Sequence, residues 1–551
     1  MSAQRAILAR RVPPSDSPES AAQDLSGVLC GLLTSGGDDR LAAEPQSGAN
    51  GYGCVPYPAD DRYAFSSSTA SSISAEAYAH VSHLLAETLA EGGKSMDAVL
   101  RGRVERLRAE LTGILGLAGT GVGIVFSPSG TDAQLHALFL AGRRLGKPLT
   151  TITVGADQTG SGTAFTGKGQ HFSARTARNR SVAKGAPIAG LSEGVAALAL
   201  PLIDASGRAR SESEIDAEVF EAVEGDVRRG RKVLLQAMNA SKFGWRAPSD
   251  RCLDAIRERW PEAVQIVIDA CQMRLGRQRI KAYLARGFIV LLTGSKFFTG
   301  PAFSGALLLP ARWCDGTGPA ATDGFGLEDY ARQSDYPPCF AALRARLDAA
   351  PNPGQWLRWE AALQEMRRYY ALPLVYRQGV LARLAEEIPA LLRGSGRFEV
   401  LTAPPIASPP AFDDEEMSSP TIFPFLIKSG GGYLVDDAAR VYRALRGKLP
   451  AGFPDDAARE GLRLADTVCH IGQPVKIPAP GGAPAAALRI CIGARTLSQA
   501  WSEGHRSAGD CAGTILERIR TVVRKADLIA GHLDQSAASG APRSITTGRT
   551  A

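Results

Sequence analysis

The chain has 551 residues, of which 44% are apolar and 22% charged, and a formal net charge of +7. This length exceeds one ordinary domain, and the balance is that of a globular protein able to bury a large core, so a large domain paired with a smaller one is expected. No run of about 18 apolar residues occurs, which argues against a membrane span, and no Lys/Arg-dense block with interleaved aromatics occurs, which argues against a nucleic-acid partner.

The first residues, MSAQRAILARRVPPSDSPESAAQD, carry arginines without a continuous apolar core and read as a flexible tail, not a secretory signal. Nine cysteines, at 30, 54, 252, 271, 314, 339, 469, 491 and 511, show no CxxC spacing. Scattered in this way they are expected to be reduced thiols of a cytoplasmic protein.

Leu25 to Leu33 has a helical pattern and leads into TSGGDDRL and SGANGYGCVPYPADDRYAF. That Gly/Pro/Asn-rich segment is either a surface loop or an arm that folds over a site and offers Arg40, Asn50 or Tyr52 to a ligand. A hydroxyl-dense run from Ser66 precedes a helix expected over Ala75 to Glu91, with Ser74 placed to cap it. A second helix is expected over Ala98 to Leu117. Gly121 to Phe126 then reads as a buried strand, followed by Ser127-Pro128-Ser129-Gly130-Thr131-Asp132 and a helix marked by Leu135, Leu138, Phe139 and Gly142. A Ser-Gly-Thr turn at a helix start offers N–H groups, hydroxyls and the positive end of the dipole to an anion, although the same residues are ordinary N-caps.

Strands are expected over Pro148 to Gly155, ending at Asp157-Gln158-Thr159, over Val195 to Ile203, and from Lys232 to an exit loop containing Asn239, with a polar helix over Ser211 to Glu224. Val264 to Ile268 is another apolar strand, and it ends abruptly in Asp269. After a helical span through Lys281 and Tyr283, the apolar run Gly287 to Leu292 ends in Thr293-Gly294-Ser295-Lys296. In open α/β sheets the ligand crevice lies outside the carboxyl ends of the strands, so Asp269 and Lys296 can face one pocket. A shielded lysine forms Schiff bases with aldehydes, and a carboxylate can keep a heterocyclic nitrogen protonated. These are the two groups that a protein contributes to pyridoxal phosphate (PLP) chemistry. The alternative is that Asp269 caps the next helix and Lys296 lies in a solvated loop.

Taken in order, SPSGTDAQLHAL resembles the phosphate-binding turn of fold-type I PLP enzymes. IDACQ and GSKFFTGPAFSGALLLP resemble the Asp-x-x-Gln and Ser-Lys-x-x-Gly-Pro elements of the class V aminotransferase and cysteine desulfurase family, with one departure: three residues, not two, separate Lys296 from Gly300-Pro301. The resemblance runs from about Phe65 to Ser498. It implies an α/β fold of the aspartate aminotransferase type, with a three-layer large domain and a smaller α+β C-terminal domain. It also implies PLP as cofactor, Lys296 as the Schiff-base lysine, Asp269 as partner of the pyridine nitrogen and Gln272 beside the phenolic oxygen. Ser129, Gly130, Thr131 and Ser295 would hold the phosphate. Gln158 occupies the place of the usual ring-stacking residue, His171 being too uncertain in register to serve, and Asn239 would lie beside the phenolic oxygen. Arg489 would clamp a substrate α-carboxylate, a job suited to the planar guanidinium, and Ser68 and Thr69 would approach the substrate.

The expected organisation is a tail and arm (1–64), a PLP-binding large domain (65–370), a bridging helix (371–396), a small domain (397–533) and a flexible tail (534–551). Residues 311–348 are loop-rich and suit a lid or a dimer element. Pro351 to Gly354 sits where the family reaches across a homodimer. Strands over Thr421 to Lys428 and Ala487 to Ile492, and helices over Asp436 to Arg446 and Gly513 to His532, fill the small domain. The reaction implied is transamination or Cα/Cβ lyase chemistry on an amino acid. Sulfur transfer ranks lower, because neither Cys314 nor Cys339 has the Ser/Gly-rich setting of that route. Two other classes stay open: a non-catalytic PLP-fold binding or regulatory protein, and a nucleotide-binding α/β protein, although no GxGxxG or GxxxxGK[ST] pattern is present.

Overall fold

The computed structural model describes residues 4, 18–59, 62–91, 95–314, 326–407, 410, 414–428, 432–433, 435–450 and 464–538. Its strands in chain order are β1 (Arg62–Phe65), β2 (Gly123–Ser127), β3 (Leu149–Val154), β4 (Val195–Leu200), β5 (Lys232–Met238), β6 (Val264–Asp269), β7 (Ile289–Thr293), β8 (Gly305–Leu309), β9 (Phe398–Val400), β10 (Ile422–Ile427), β11 (Val468–Pro478) and β12 (Pro484–Cys491).

Seven of them form one sheet in the order β2-β8-β7-β6-β5-β3-β4, in which only β8 runs against its neighbours. Side chains alternate between its two faces, as the pleat requires. Ile124, Phe126, Ile266, Ile268, Val290 and Leu292 join one apolar core. Val125, Val267, Ile289, Leu291 and Leu307 join another, together with Leu135, Leu138 and Phe139 of the helix Gly130–Leu145. A sheet covered on both faces makes the three-layer α/β architecture that the continuous apolar runs predict. The carboxyl ends of β2, β3, β5, β6 and β7 therefore open on one edge, with Asp269 level with Met238 on one side and Leu291 on the other.

The second sheet has the order β1-β11-β12-β10-β9, with β1 parallel to β11 and the other pairs antiparallel. Its edge strand β1 precedes the large sheet in the chain, so the turn after it, from Ser66, is delivered from the smaller sheet toward the larger. The N-terminal arm is tied down by Arg358, which is fully buried. Its guanidinium donates to the carbonyls of Ser35 (2.7 Å), Leu33 (3.2 Å) and Phe303 (2.9 Å). A cation at the carbonyl end of the helix Pro18–Leu33 also complements its dipole.

Several expectations need correction. Cys314 and Cys339 form a disulfide, with Cα atoms 5.2 Å apart, while the other seven cysteines form none. Spacing along the chain did not show that residues 25 apart are brought together by packing. The helix Ala508–Ala538 continues past the point where the composition turns polar, and 539–551 lie outside the described residues. Within 311–348, residues 315–325 are likewise not described. The described remainder is held in the body, where Arg108 donates to the Ser334 carbonyl (2.8 Å) and Gln355 to Asp335 (2.9 Å). Asn352 caps the helix Pro353–Tyr370 and donates to the Gly36 carbonyl (2.9 Å), so within this chain it contacts the arm. No helix among the described residues is long and apolar enough to cross a membrane.

Candidate active site

A cavity of about 210 Å³ lies at the carboxyl edge of the large sheet, roofed by the second sheet and the arm. Of the twelve site residues implied by the resemblance, eleven line it: Ser68, Thr69, Ser129, Gly130, Thr131, Gln158, Asp269, Gln272, Ser295, Lys296 and Arg489; Arg40 and Tyr52 of the arm line it as well.

The anion turn follows β2. Ser129 caps the helix Gly130–Leu145, and its Oγ accepts the Asp132 N–H. This leaves the turn close-packed. A Cβ on Gly130 would stand 2.6 Å from Cys271 Sγ, and one on Gly305 would stand 2.6 Å from the Ser129 carbonyl carbon, so both positions admit only glycine without a shift. Arg40, from the arm, donates to Ser129 Oγ (3.1 Å) and Thr131 Oγ1 (3.2 Å) while Asp38 holds its other edge (2.6 and 2.9 Å). Phe172 and Phe303 flank the guanidinium at 5.4 and 5.3 Å. Burial and the nearby Asp38 push the Asp132 carboxyl up to about 7, against the pull of Ser129 and Arg40.

Asp269 ends β6. Its Oδ1 accepts the Cys271 N–H (3.1 Å) and its Oδ2 faces Gln134 Nε2 (3.4 Å). Burial raises its carboxyl above the usual range, opposed by these hydrogen bonds and by Lys296. Lys296 follows β7, its Nζ donating to the Thr69 carbonyl and lying 5.8 Å from the Tyr52 ring centre. Burial, with Arg489 and Arg40 nearby, lowers this amine to about 8, Cys271 acting in the opposite sense. Gln272 donates to the Ser68 carbonyl (3.1 Å) and accepts from Arg274 (3.0 Å), which fixes its amide at the cavity wall. Gln158 accepts from Ser241 Oγ (2.6 Å).

Arg489, on β12 of the second sheet, lines the same cavity and is 1% exposed. It donates to Ser68 Oγ (2.8 Å), Thr69 Oγ1 (3.3 Å), and the carbonyls of Gln473 (2.6 Å) and Lys242 (3.4 Å). Its Nε has no partner in the described structure. Gly472, at an irregularity between β11 and β12, makes room for it, since a Cβ there would stand 2.9 Å from that Nε.

Asn239 is the exception. Met238 and Ala240 line the cavity, but Asn239 points away and donates to Tyr283 Oη (3.0 Å). The alternation of a strand and its exit turn sends adjacent residues to opposite sides, and placing Asn239 at the strand end missed that parity. His171 bonds Tyr330 Oη (2.6 Å), and it does not line the cavity. Asn50 accepts the N–H groups of Tyr52 and Cys54 (3.0 and 3.1 Å), closing a turn that presents Tyr52. No local signal marks Lys242, Gln134 or Cys271 as wall residues, because each matters only through what faces it. Of the nine cysteines only Cys271 lines the cavity, and burial with Asp269 holds its thiol well above its ordinary range.

No protein-family profile and no curated protein matches the sequence. Among solved structures, the chain is similar to a cysteine desulfurase from Escherichia coli, with 12% identity over 86% of this chain and 96% of that one and a TM-score of 0.49. It is also similar to Oryza sativa TDC with PLP and tryptamine (15%; 84% and 83%; TM-score 0.45). A third is the cystine C–S lyase C-DES with cysteine persulfide (13%; 83% and 97%; TM-score 0.47). Likeness this distant assigns no cofactor, substrate or reaction.

Proposed function

We propose that the chain is a fold-type I PLP-dependent enzyme acting on an amino acid. One observation carries the reading: an anion turn, a buried carboxylate and a half-buried amine, from three different strand ends, face a single cavity. The residues present fit that cofactor. The N–H groups and hydroxyls at Ser129 to Thr131, with Ser295 and Arg40, suit its phosphate. Asp269 suits its ring nitrogen, because a cation placed there offsets the cost of a buried carboxylate. Lys296 Nζ suits its aldehyde, and the orphaned Arg489 Nε suits a substrate carboxylate. When bound, PLP supplies an electron sink for charge that develops at the substrate Cα.

The chain's own part is positioning and proton transfer. Arg489 orients the α-carboxylate, Gln158 and Gln272 fix polar edges, and Lys296 Nζ takes and returns the Cα proton. Transamination follows when that proton is delivered away from Cα, and lyase chemistry when a substituent on the substrate Cβ leaves. Sulfur transfer of the cysteine desulfurase kind is the second reading, disfavoured because Cys314 and Cys339 are paired away from the cavity and Cys271 is held as a thiol. A homodimer in the cytoplasm belongs to the same proposal, supported by the resemblance of Pro351 to Gly354 to a subunit-crossing loop and by the seven cysteines outside any disulfide.

The test is visible absorbance on adding PLP to the purified protein, lost in Lys296→Ala. Amino acids are then screened for release of keto acid, ammonia or sulfide. A colourless protein, or colour that survives Lys296→Ala, refutes the proposal.

A further inference from the structure

Charge does not balance at the cavity wall that Arg489 and Lys242 line. Arg489 is buried, and all its acceptors are neutral: two hydroxyls and two carbonyls. Lys242 lines the same wall, and its amine has no hydrogen bond or ion pair among the described residues. Burial, then Arg489, then Lys296 lower that amine to about 7. The acids near the cavity are committed elsewhere, Asp38 to Arg40 and Asp269 to the position of the cofactor nitrogen. A half-buried amine beside the buried Arg489 guanidinium, with no counter-ion among the described residues, is costly to charge unless a ligand brings the missing negative charge. The α-carboxylate of an amino acid answers one of them, and the other remains.

The backbone presents Lys242 deliberately. Ala240 turns the chain out of β5 in the left-handed conformation (φ 61°). Ser241 Oγ accepts the N–H groups of Phe243 and Trp245 (both 3.1 Å), and the Lys242 N–H donates to the Gln158 carbonyl (3.1 Å). The main chain is pinned on both sides of a side chain that is left without a partner, which lowers the ordering cost of binding an anion there.

Resting on the proposed function, we infer that the substrate is an α-amino acid carrying a second anionic group, a carboxylate or phosphate, and that Lys242 recognises that group while Arg489 holds the α-carboxylate. Neutral amides of the same shape would leave the half-buried ammonium unpaired, so discrimination of about ten-fold or more is expected.

The experiment uses the PLP-loaded full chain and follows the visible spectrum during titration with aspartate against asparagine, glutamate against glutamine, and O-phosphoserine against serine. At least one acidic member should saturate about ten-fold below its neutral counterpart. Which pair shows the preference separates carboxylate from phosphate. In Lys242→Met, and in Lys242→Gln should the first variant not fold, that ratio should fall toward unity. Equal binding in all three pairs by the unmodified chain, or a ratio that survives removal of the ammonium, overturns the inference. The failures are distinguishable: absence of Lys296-dependent colour removes the PLP reading, whereas colour without acid preference removes only the second-anion site.

Discussion

The depressed basicity of Lys296 makes a quantitative prediction about the pH dependence of cofactor capture. An ordinary lysine titrates at 10.5, and here burial with Arg489 and Arg40 brings it to about 8. That difference corresponds to roughly 3 kcal/mol at about 1.4 kcal/mol per pKa unit. At about pH 7 it raises the neutral, nucleophilic fraction of the amine from about 0.03% to about 9%, roughly 300-fold. Stopped-flow growth of visible absorbance after mixing with excess PLP, from about pH 6 to about pH 10, reads this directly. The rate should climb nearly ten-fold per pH unit and level off near pH 8. The same shift has a signature in stability. Between pH 8 and 10.5 the unfolded chain binds more protons at this site than the folded one, so the contribution of Lys296 is complete above 10.5 and is lost as pH falls to 8. A capture rate that keeps rising beyond pH 10 without a plateau would refute the reasoning and return Lys296 to an exposed, ordinary amine.

Arg40→Ala should weaken PLP binding by about ten-fold, by removing a charge-assisted phosphate contact, while pyridoxal without the phosphate binds as before; equal loss for both would place Arg40 elsewhere. Gly130→Ala forces a methyl to 2.6 Å from Cys271 Sγ, so urea unfolding should show a loss of about 1–3 kcal/mol together with weakened PLP binding. Asn239→Ala removes the donor to Tyr283 and should cost about 1–2 kcal/mol of stability without altering PLP affinity. A marked loss of affinity would restore Asn239 to the site.

The turn after β2, the acid ending β6 and the lysine after β7 were legible in the sequence because each is a local signal: an apolar run fixes a strand, and its carboxyl tip lies at the crevice edge. The α/β class follows from the same runs, since strands that are apolar on both faces need cover on both faces. Arg489 was reachable only through resemblance, because nothing local marks one arginine of a strand as buried.

Tertiary structure alone decided the rest. Lys242 acquires its meaning from Arg489, 247 residues further along the chain, and the pairing of Cys314 with Cys339 comes from packing. Asn239 shows the limit most directly. A one-residue difference in parity at a strand exit separates a cavity wall from a buried contact with Tyr283, and chain spacing does not fix that parity once the strand has ended.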